Sequence, residues 1–137
     1  MNASTTALDA LARRGLSGLL GITITDRDQA TGQLTARWDL NPNVLDIRGN
    51  VHDGAISSVI ETLASLAAGA ELAAGEDIVG VSNSTDFFHP TDRSPLTATA
   101  AVVDRNTIHQ LWDVSIVDSD DVLVARGTVR LQQVAAR

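Results

Sequence analysis

GNVHDGAISSVIETLASL, residues 49–66, is the stretch whose reading decides the fold. After Asp53 it carries one formally charged side chain, Glu61, and residues 54–70 are otherwise apolar or small and polar. No proline interrupts it before Gly75. This predicts one long helix over about 54–74, roughly 20 residues and about 30 Å long. Ile56, Val59, Ile60, Leu63, Leu66 and Leu72 spread over more than one face. A helix apolar nearly all round belongs inside a protein rather than on its surface.

Ser58, Glu61, Thr62 and Ser65 recur at three- and four-residue spacing, which sets them on one stripe of that helix. The helix is thus greasy except for a narrow polar strip with one carboxylate at its centre. A surface or ion-paired glutamate is the bland explanation. The helix offers no neighbouring cation, however, and buried carboxylates gather at functional sites, so Glu61 is read as functional. Asp53 is placed to be the N-cap. The free amides of a first turn, backed by the helix dipole, suit a carbonyl oxygen gaining negative charge. An electrophile held there lies about 12 Å along the axis from Glu61, too far for the same helix to serve both ends. A second copy with its helix antiparallel would bring them together, which predicts a dimer with shared sites.

Outward from this helix, residues 5–14 repeat Leu8, Leu11 and Ala12 at helical spacing until Gly15 stops them. Residues 20–25 and 33–39 alternate, and the turn-rich 26–32 between them makes a hairpin. Residues 40–51 hold proline, glycine and three asparagines and read as a loop. Strands follow at 79–88, 96–103 and 111–117, the last with Trp112, Val114 and Ile116 on one face. In the final strand Leu123, Ala125, Gly127, Val129 and Leu131 face one way, and Arg126, Thr128 and Arg130 the other. Short polar connections predict that these four strands form a meander. The whole, residues 1–137, is expected to be one α+β domain, an antiparallel sheet wrapped around one long central helix.

Composition excludes several classes. The net charge of −7 opposes a broad grip on nucleic acid or anionic lipid. There is no cysteine and no lysine, which removes thiolate zinc sites, a cysteine nucleophile and Schiff-base chemistry. No apolar tract is long enough to span a bilayer, and no secretory signal opens the chain, so a cytoplasmic address is the default expectation. G-x-S-x-G, H-E-x-x-H and a glycine-rich phosphate loop are missing. Asp118-x-Asp120-Asp121 lacks the glycine and terminal glutamate of a calcium loop and reads as a turn. No metal or organic cofactor is expected.

Asp46, Gly49-x-x-His52-Asp53-Gly54-Ala55, then Glu61 and Ser65 resemble the hotdog-fold acyl-CoA thioesterases of the 4-hydroxybenzoyl-CoA and phenylacetate-pathway type. That family's signature is Asn or Gln, then G-x-x-H-G-G, an acidic residue nine positions after the histidine, and often Thr or Ser four later. Ser84-Thr85-Asp86-Phe87-Phe88-His89-Pro90, Trp112-Asp113-Val114, Asp118–Asp121 and Leu123-Val124-Ala125 are similar to its later strands. The similarity runs from about residue 15 to residue 132.

The resemblance implies a hotdog fold, homodimers that often pair into homotetramers, and hydrolysis of an acyl- or aryl-CoA thioester. It implies Glu61 as nucleophile or general base, the Asp53 N–H as the group polarising the carbonyl, and Ser65 as a positioner of water. Asp46, if protonated, would donate as the usual carboxamide does. His52, Gly54, Thr62 and His89 form the expected substrate-binding set; His89, at a strand end, is set either to meet a CoA phosphate or, as the blander reading has it, to be a surface histidine. Four positions depart from the pattern: Asp46 for Asn or Gln, Asp53 for the first Gly of H-G-G, His89 for Arg, and Asn106-Thr107 for Gly-Arg. An anion at Asp53 opposes an oxyanion pocket unless it turns back to cap the helix. A non-catalytic acyl-CoA-binding protein on the same fold is therefore an alternative, and a hydratase using Asp46 and His52 a more distant one. The 3% aromatic content leans toward an aliphatic acyl group.

Overall fold

The computed structural model describes residues 3–137. Helix α1, Thr5–Ala12, starts at Ser4, whose hydroxyl accepts from the Ala7 amide, and buries Leu8 and Ala12. It ends two residues before the predicted limit of 14. Gly15 does not simply stop it: at φ +57° it redirects the chain into a second short helix, α2, Gly15–Leu20, which closes on Gly21 at φ +84°. Strands β1, Ile22–Arg27, and β2, Leu34–Trp38, pair antiparallel as the expected hairpin, from Ile22↔Trp38 to Arg27↔Leu34. Asp28 shapes its turn by accepting from the Thr31 and Ala30 amides, and these two bonds hold its carboxyl below the usual carboxylate range.

The loop that follows contains one 3-10 turn, Pro42–Val44, capped by the Asn41 side chain. The central helix α3 spans Asp53–Gly69 and buries Ile56, Val59, Ile60, Leu63, Ala64, Ala67 and Ala68. It stops five residues short of the predicted end although Ala70, Ala73 and Ala74 favour helix. Tertiary bonding overrides propensity here: Glu71 leaves the helix to meet Arg27 Nη2 at 2.5 Å and Arg105 Nη1 at 2.9 Å.

Strands β3, Glu76–Phe87, β4, Leu96–Arg105, β5, His109–Val117, and β6, Leu123–Ala135, complete a six-stranded antiparallel sheet in the order β1-β2-β4-β5-β6-β3. The expected four-strand meander holds for β4-β5-β6 only. β3 lies at the far edge beside β6, from Glu76↔Ala135 to Phe87↔Ala125. The segment after it is no hairpin turn, because its backbone bonds elsewhere. Phe88 N donates to Val124 O, and Thr91 O accepts from Val51 N at 2.8 Å.

The sheet's inner face meets α3. Leu34, Ala36, Trp38, Leu96, Ala98, Ala100, Trp112, Val114, Ile116, Ala125, Val129 and Leu131 are fully buried. Both indoles are satisfied, Trp38 on Leu20 O at 2.7 Å and Trp112 on Gln110 Oε1 at 2.8 Å. The helix crosses β6 closely at Gly127, where a Cβ would stand 2.7 Å from Ile60 Cγ2.

The Arg27 side chain is 1% exposed and Glu71 is 21% exposed. Truncating one member of a buried ion pair costs about 3–5 kcal/mol. Glu71→Ala is therefore expected to lower stability by that amount, read as a shifted urea midpoint at constant slope. A loss below about 1 kcal/mol, the value of a surface pair, would contradict this account of where α3 ends.

Candidate active site

The start of α3 is organised by His52. It is the N-cap, with extended backbone at φ −68° and ψ 136°, and its Nδ1 accepts from Gly54 N at 2.8 Å. This corrects the expectation that Asp53 is the cap: Asp53 is the first helical residue and its exposed carboxylate has no hydrogen-bond or ion-pair partner among the described residues. An imidazole that accepts at Nδ1 carries its ring proton on Nε2. Gly54 makes the fold-back feasible, because a Cβ there would press on the ring at 3.0–3.1 Å. The His52 carbonyl takes the Ala55 and Ile56 amides at 2.9 and 3.0 Å. Three first-turn amides are thus satisfied by one residue. The Asp53 N–H is left without a partner among the described residues, exposed at the positive end of a 17-residue helix.

Glu61 is half-buried and lies against β3. Its Oε2 accepts from Asn83 Nδ2 at 3.3 Å, and Ser65 Oγ donates to its Oε1 at 3.5 Å. Asn83 Nδ2 also reaches Ser57 O at 3.0 Å, and Thr85 Oγ1 donates to Asn83 Oδ1 at 2.7 Å. A Cβ on Gly80 would lie 2.5 Å from Glu61 Oε1, so the carboxylate occupies space that only glycine leaves open. The pairing of β3 with β6 shifts register between Gly80 and Ser82 at the same place. No cation pairs with Glu61 among the described residues.

The other predicted residues disperse. The polar stripe splits: Ser65 turns with Glu61 toward β3, whereas Thr62 Oγ1 faces Ser17 Oγ of α2 at 3.4 Å and Ser58 bonds back to Gly54 O at 2.7 Å. Asp46 closes the 46–50 loop, its Oδ1 accepting from Arg48 N and Asn50 N at 2.8 and 3.0 Å. Its Oδ1 is an acceptor in that loop. No hydrogen bond joins Asp46, Asp53 and Glu61 among the described residues. His89 is exposed at the end of β3, and its backbone N–H meets Val124 O at 3.3 Å. Among the described residues no cluster of three or more His, Asp or Glu is set to hold a metal ion.

Sequence reasoning missed Gly80, Asn83 and Thr85. The available signals were a glycine inside a strand, which marks a bulge or a close approach, and an asparagine at a strand interior, where it is disfavoured. It also missed α2, which forms a cleft of about 590 Å3 with the start of α3.

Comparison with known proteins agrees with this architecture. The sequence profile described as "Thioesterase superfamily" matches residues 48–125. A Mycobacterium tuberculosis protein that bears the name of an esterase is 42% identical over 105 residues, covering 74% of this chain and 75% of that one. AziG of S. sahachiroi is 37% identical with a TM-score of 0.83, over 90% of this chain and 98% of that chain. A thioesterase from Haemophilus influenzae superposes with a TM-score of 0.92 over 98% and 93% of the two chains at 21% identity, a likeness of fold. A six-stranded antiparallel sheet packed on one long helix is the hotdog fold, and the matching profile and the esterase relative define the class as a hydrolase of the thioesterase type. The chain belongs to the thioesterase superfamily. No described helix is long and apolar enough to cross a membrane.

Proposed function

We propose that the protein hydrolyses an acyl-CoA thioester at a site shared by two protomers. The observation that carries this reading is the unpartnered Asp53 N–H at the start of α3. The thioester oxygen accepts from that amide, and the carbonyl carbon becomes electrophilic. Glu61 of the partner subunit approaches from the other side. Acting as general base, it takes a proton from water as the oxygen attacks the carbonyl carbon, and the C–S bond then breaks. The proton returns to the departing CoA sulfur. Acting as nucleophile, it attacks the carbonyl carbon through a carboxylate oxygen, and the C–S bond breaks. CoA leaves as a thiolate that takes a proton from water, and a further water opens the mixed anhydride to the free acid and Glu61. Single-turnover hydrolysis in 18O-water separates the two, since only the anhydride route can leave the label on Glu61.

Two features support pairing. Among the described residues β3 pairs with no strand but β6, so its outer edge is unpaired, and residues 78–85 carry no charge. Such an edge is a template for another strand. Val79 and Val81 are 45% and 50% exposed on it, and Glu61 lies beside it. A dimer that joins sheets here delivers the carboxylate to the interface.

The test is a panel of short, long and aryl acyl-CoAs with free thiol followed continuously. Thiol release supports the reading, and its absence over the whole panel with CoA binding retained would establish the non-catalytic alternative. That alternative draws on the Asp53 carboxylate beside the amide. Asp53→Gly is expected to raise kcat, because an opposing charge is removed, and to cost about 0.3–1 kcal/mol of stability through the lost helix-dipole interaction. An unchanged kcat would mean that the carboxylate points away from the reacting oxygen. A hydratase would draw on Asp46 and His52, whose Oδ1 and Nδ1 already serve loop closure and capping.

Asn83 and Thr85 are positioning residues in this scheme, holding Glu61 in one rotamer. Asn83→Leu is expected to lower kcat about 10-fold to 100-fold with KM little changed, as small misplacements of reacting groups do. An equal change in KM would indicate a binding role instead.

A further inference from the structure

We infer that the cleft between α2 and the start of α3 is the acyl-chain subsite, and that it selects a neutral aliphatic acyl group. The inference rests on the thioesterase reading, since it takes the Asp53 amide as the seat of the carbonyl. His52 and Gly54, the neighbours of Asp53 on either side, both line the cleft. A carbonyl bound to the Asp53 N–H therefore sits at its entrance, with the first carbons of the acyl group directed along it.

The walls choose the ligand chemistry. Leu16 and Leu19 of α2 face Val44 and Leu45 of the preceding loop and Ala55 of α3. Asn43, His52 and Ser58 are the polar side chains on the cleft, and among the described residues no Asp, Glu or Arg lines it, so an acyl group ending in a carboxylate or an amine would leave water without a guanidinium or carboxylate counter-ion. Among the described residues no Phe, Tyr or Trp lines it either, so an aryl ring finds no stacking partner there. Leu16 and Leu19 are 64% and 65% exposed, and a hydrocarbon chain lying in the cleft would cover them. The glycines Gly15 and Gly21, both at positive φ, turn the chain sharply at the two ends of α2 and set these leucines along the groove. The approach of Ser17 to Thr62 docks α2 on the central helix.

The experiment uses non-hydrolysable S-alkyl-CoA thioethers, from ethyl to dodecyl, with affinity measured by calorimetry on the full chain. Affinity is expected to rise about fourfold per methylene until the cleft is filled. Leu19→Trp, which fills the groove, is expected to cut the ratio of decyl to butyl affinity at least tenfold. Leu16→Ala, which removes wall surface, is expected to lower the same ratio by a smaller factor. Both leucines are largely exposed, so neither change threatens the core, and unchanged unfolding midpoints verify this. The same ratio in kcat/KM for acyl-CoAs should follow the binding ratio. Affinity that is flat with chain length, a benzyl thioether that outbinds octyl, or a ratio untouched by both substitutions would overturn the inference. Chain-length-dependent, Leu19-sensitive binding without thiol release would retain this subsite and sink hydrolysis. Hydrolysis indifferent to chain length would do the reverse.

Discussion

Glu61→Gln lowers kcat by about 10²–10⁴-fold, the usual worth of a positioned general base, and leaves the unfolding midpoint nearly unchanged. The two halves of this expectation have separate grounds. Glutamine matches glutamate in shape, so the groups around it, Asn83, Ser65 and the vacancy at Gly80, remain filled. No ion pair is broken, because none is made by Glu61 among the described residues. What is lost is the capacity to take a proton or to attack. KM should move little if the carboxylate acts only in the transition state. Steady-state thiol release with wild-type and substituted protein at matched concentrations measures both constants. A kcat within threefold of wild type, against the expected factor, would remove Glu61 from the chemistry.

Asp53→Pro lowers kcat by about 10²–10³-fold, the cost of deleting one oxyanion donor, and this substitution is unusually clean. Proline at the first helical position is tolerated because that amide has no helical acceptor. His52 already has φ −68° and ψ 136°, the extended backbone that precedes proline. The Asp53 N–H bonds nothing among the described residues, so no hydrogen bond is sacrificed. Removing the carboxylate at the same time should otherwise help the reaction, as Asp53→Gly is expected to do, so a fall in rate isolates the amide.

Mixing the two inactive proteins adds a test of sharing. In a mixed dimer one site combines an intact Asp53 amide with an intact Glu61, and random pairing restores about a quarter of wild-type activity. No recovery after verified subunit exchange would place both groups of each site on one protomer.

Much of this was legible in the sequence because periodicity reports burial directly. The apolar run after Asp53 gave α3, the alternation at 20–25 and 33–39 gave the hairpin, and the last strand's two faces were read residue by residue. Glu61 stood out as one charge in an apolar helix, and its neighbour Ser65 was placed correctly on its side. Two failures share a cause, which is bonding between distant segments. Glu71 ends the helix for the sake of Arg27, 44 residues away. β3 goes to the far edge because it pairs with β6, the last strand, and the chain after it bonds to Val124 and Val51. The His52 cap was hidden because aspartate is a common capping residue and histidine is not. The turn that Asp46 closes through its Oδ1 is likewise not visible in the spacing that it shares with the family.

The free edge of β3 has a kinetic consequence. If that edge is where two chains meet and the reaction needs a group from each, then a solitary protomer is inert whatever its fold. Specific activity would fall on dilution below the dimerisation constant, with rate rising as the square of protein concentration in that range. Chains released from the ribosome would stay silent until enough of them had accumulated, and a defective copy would disable one half of each partnership it joined.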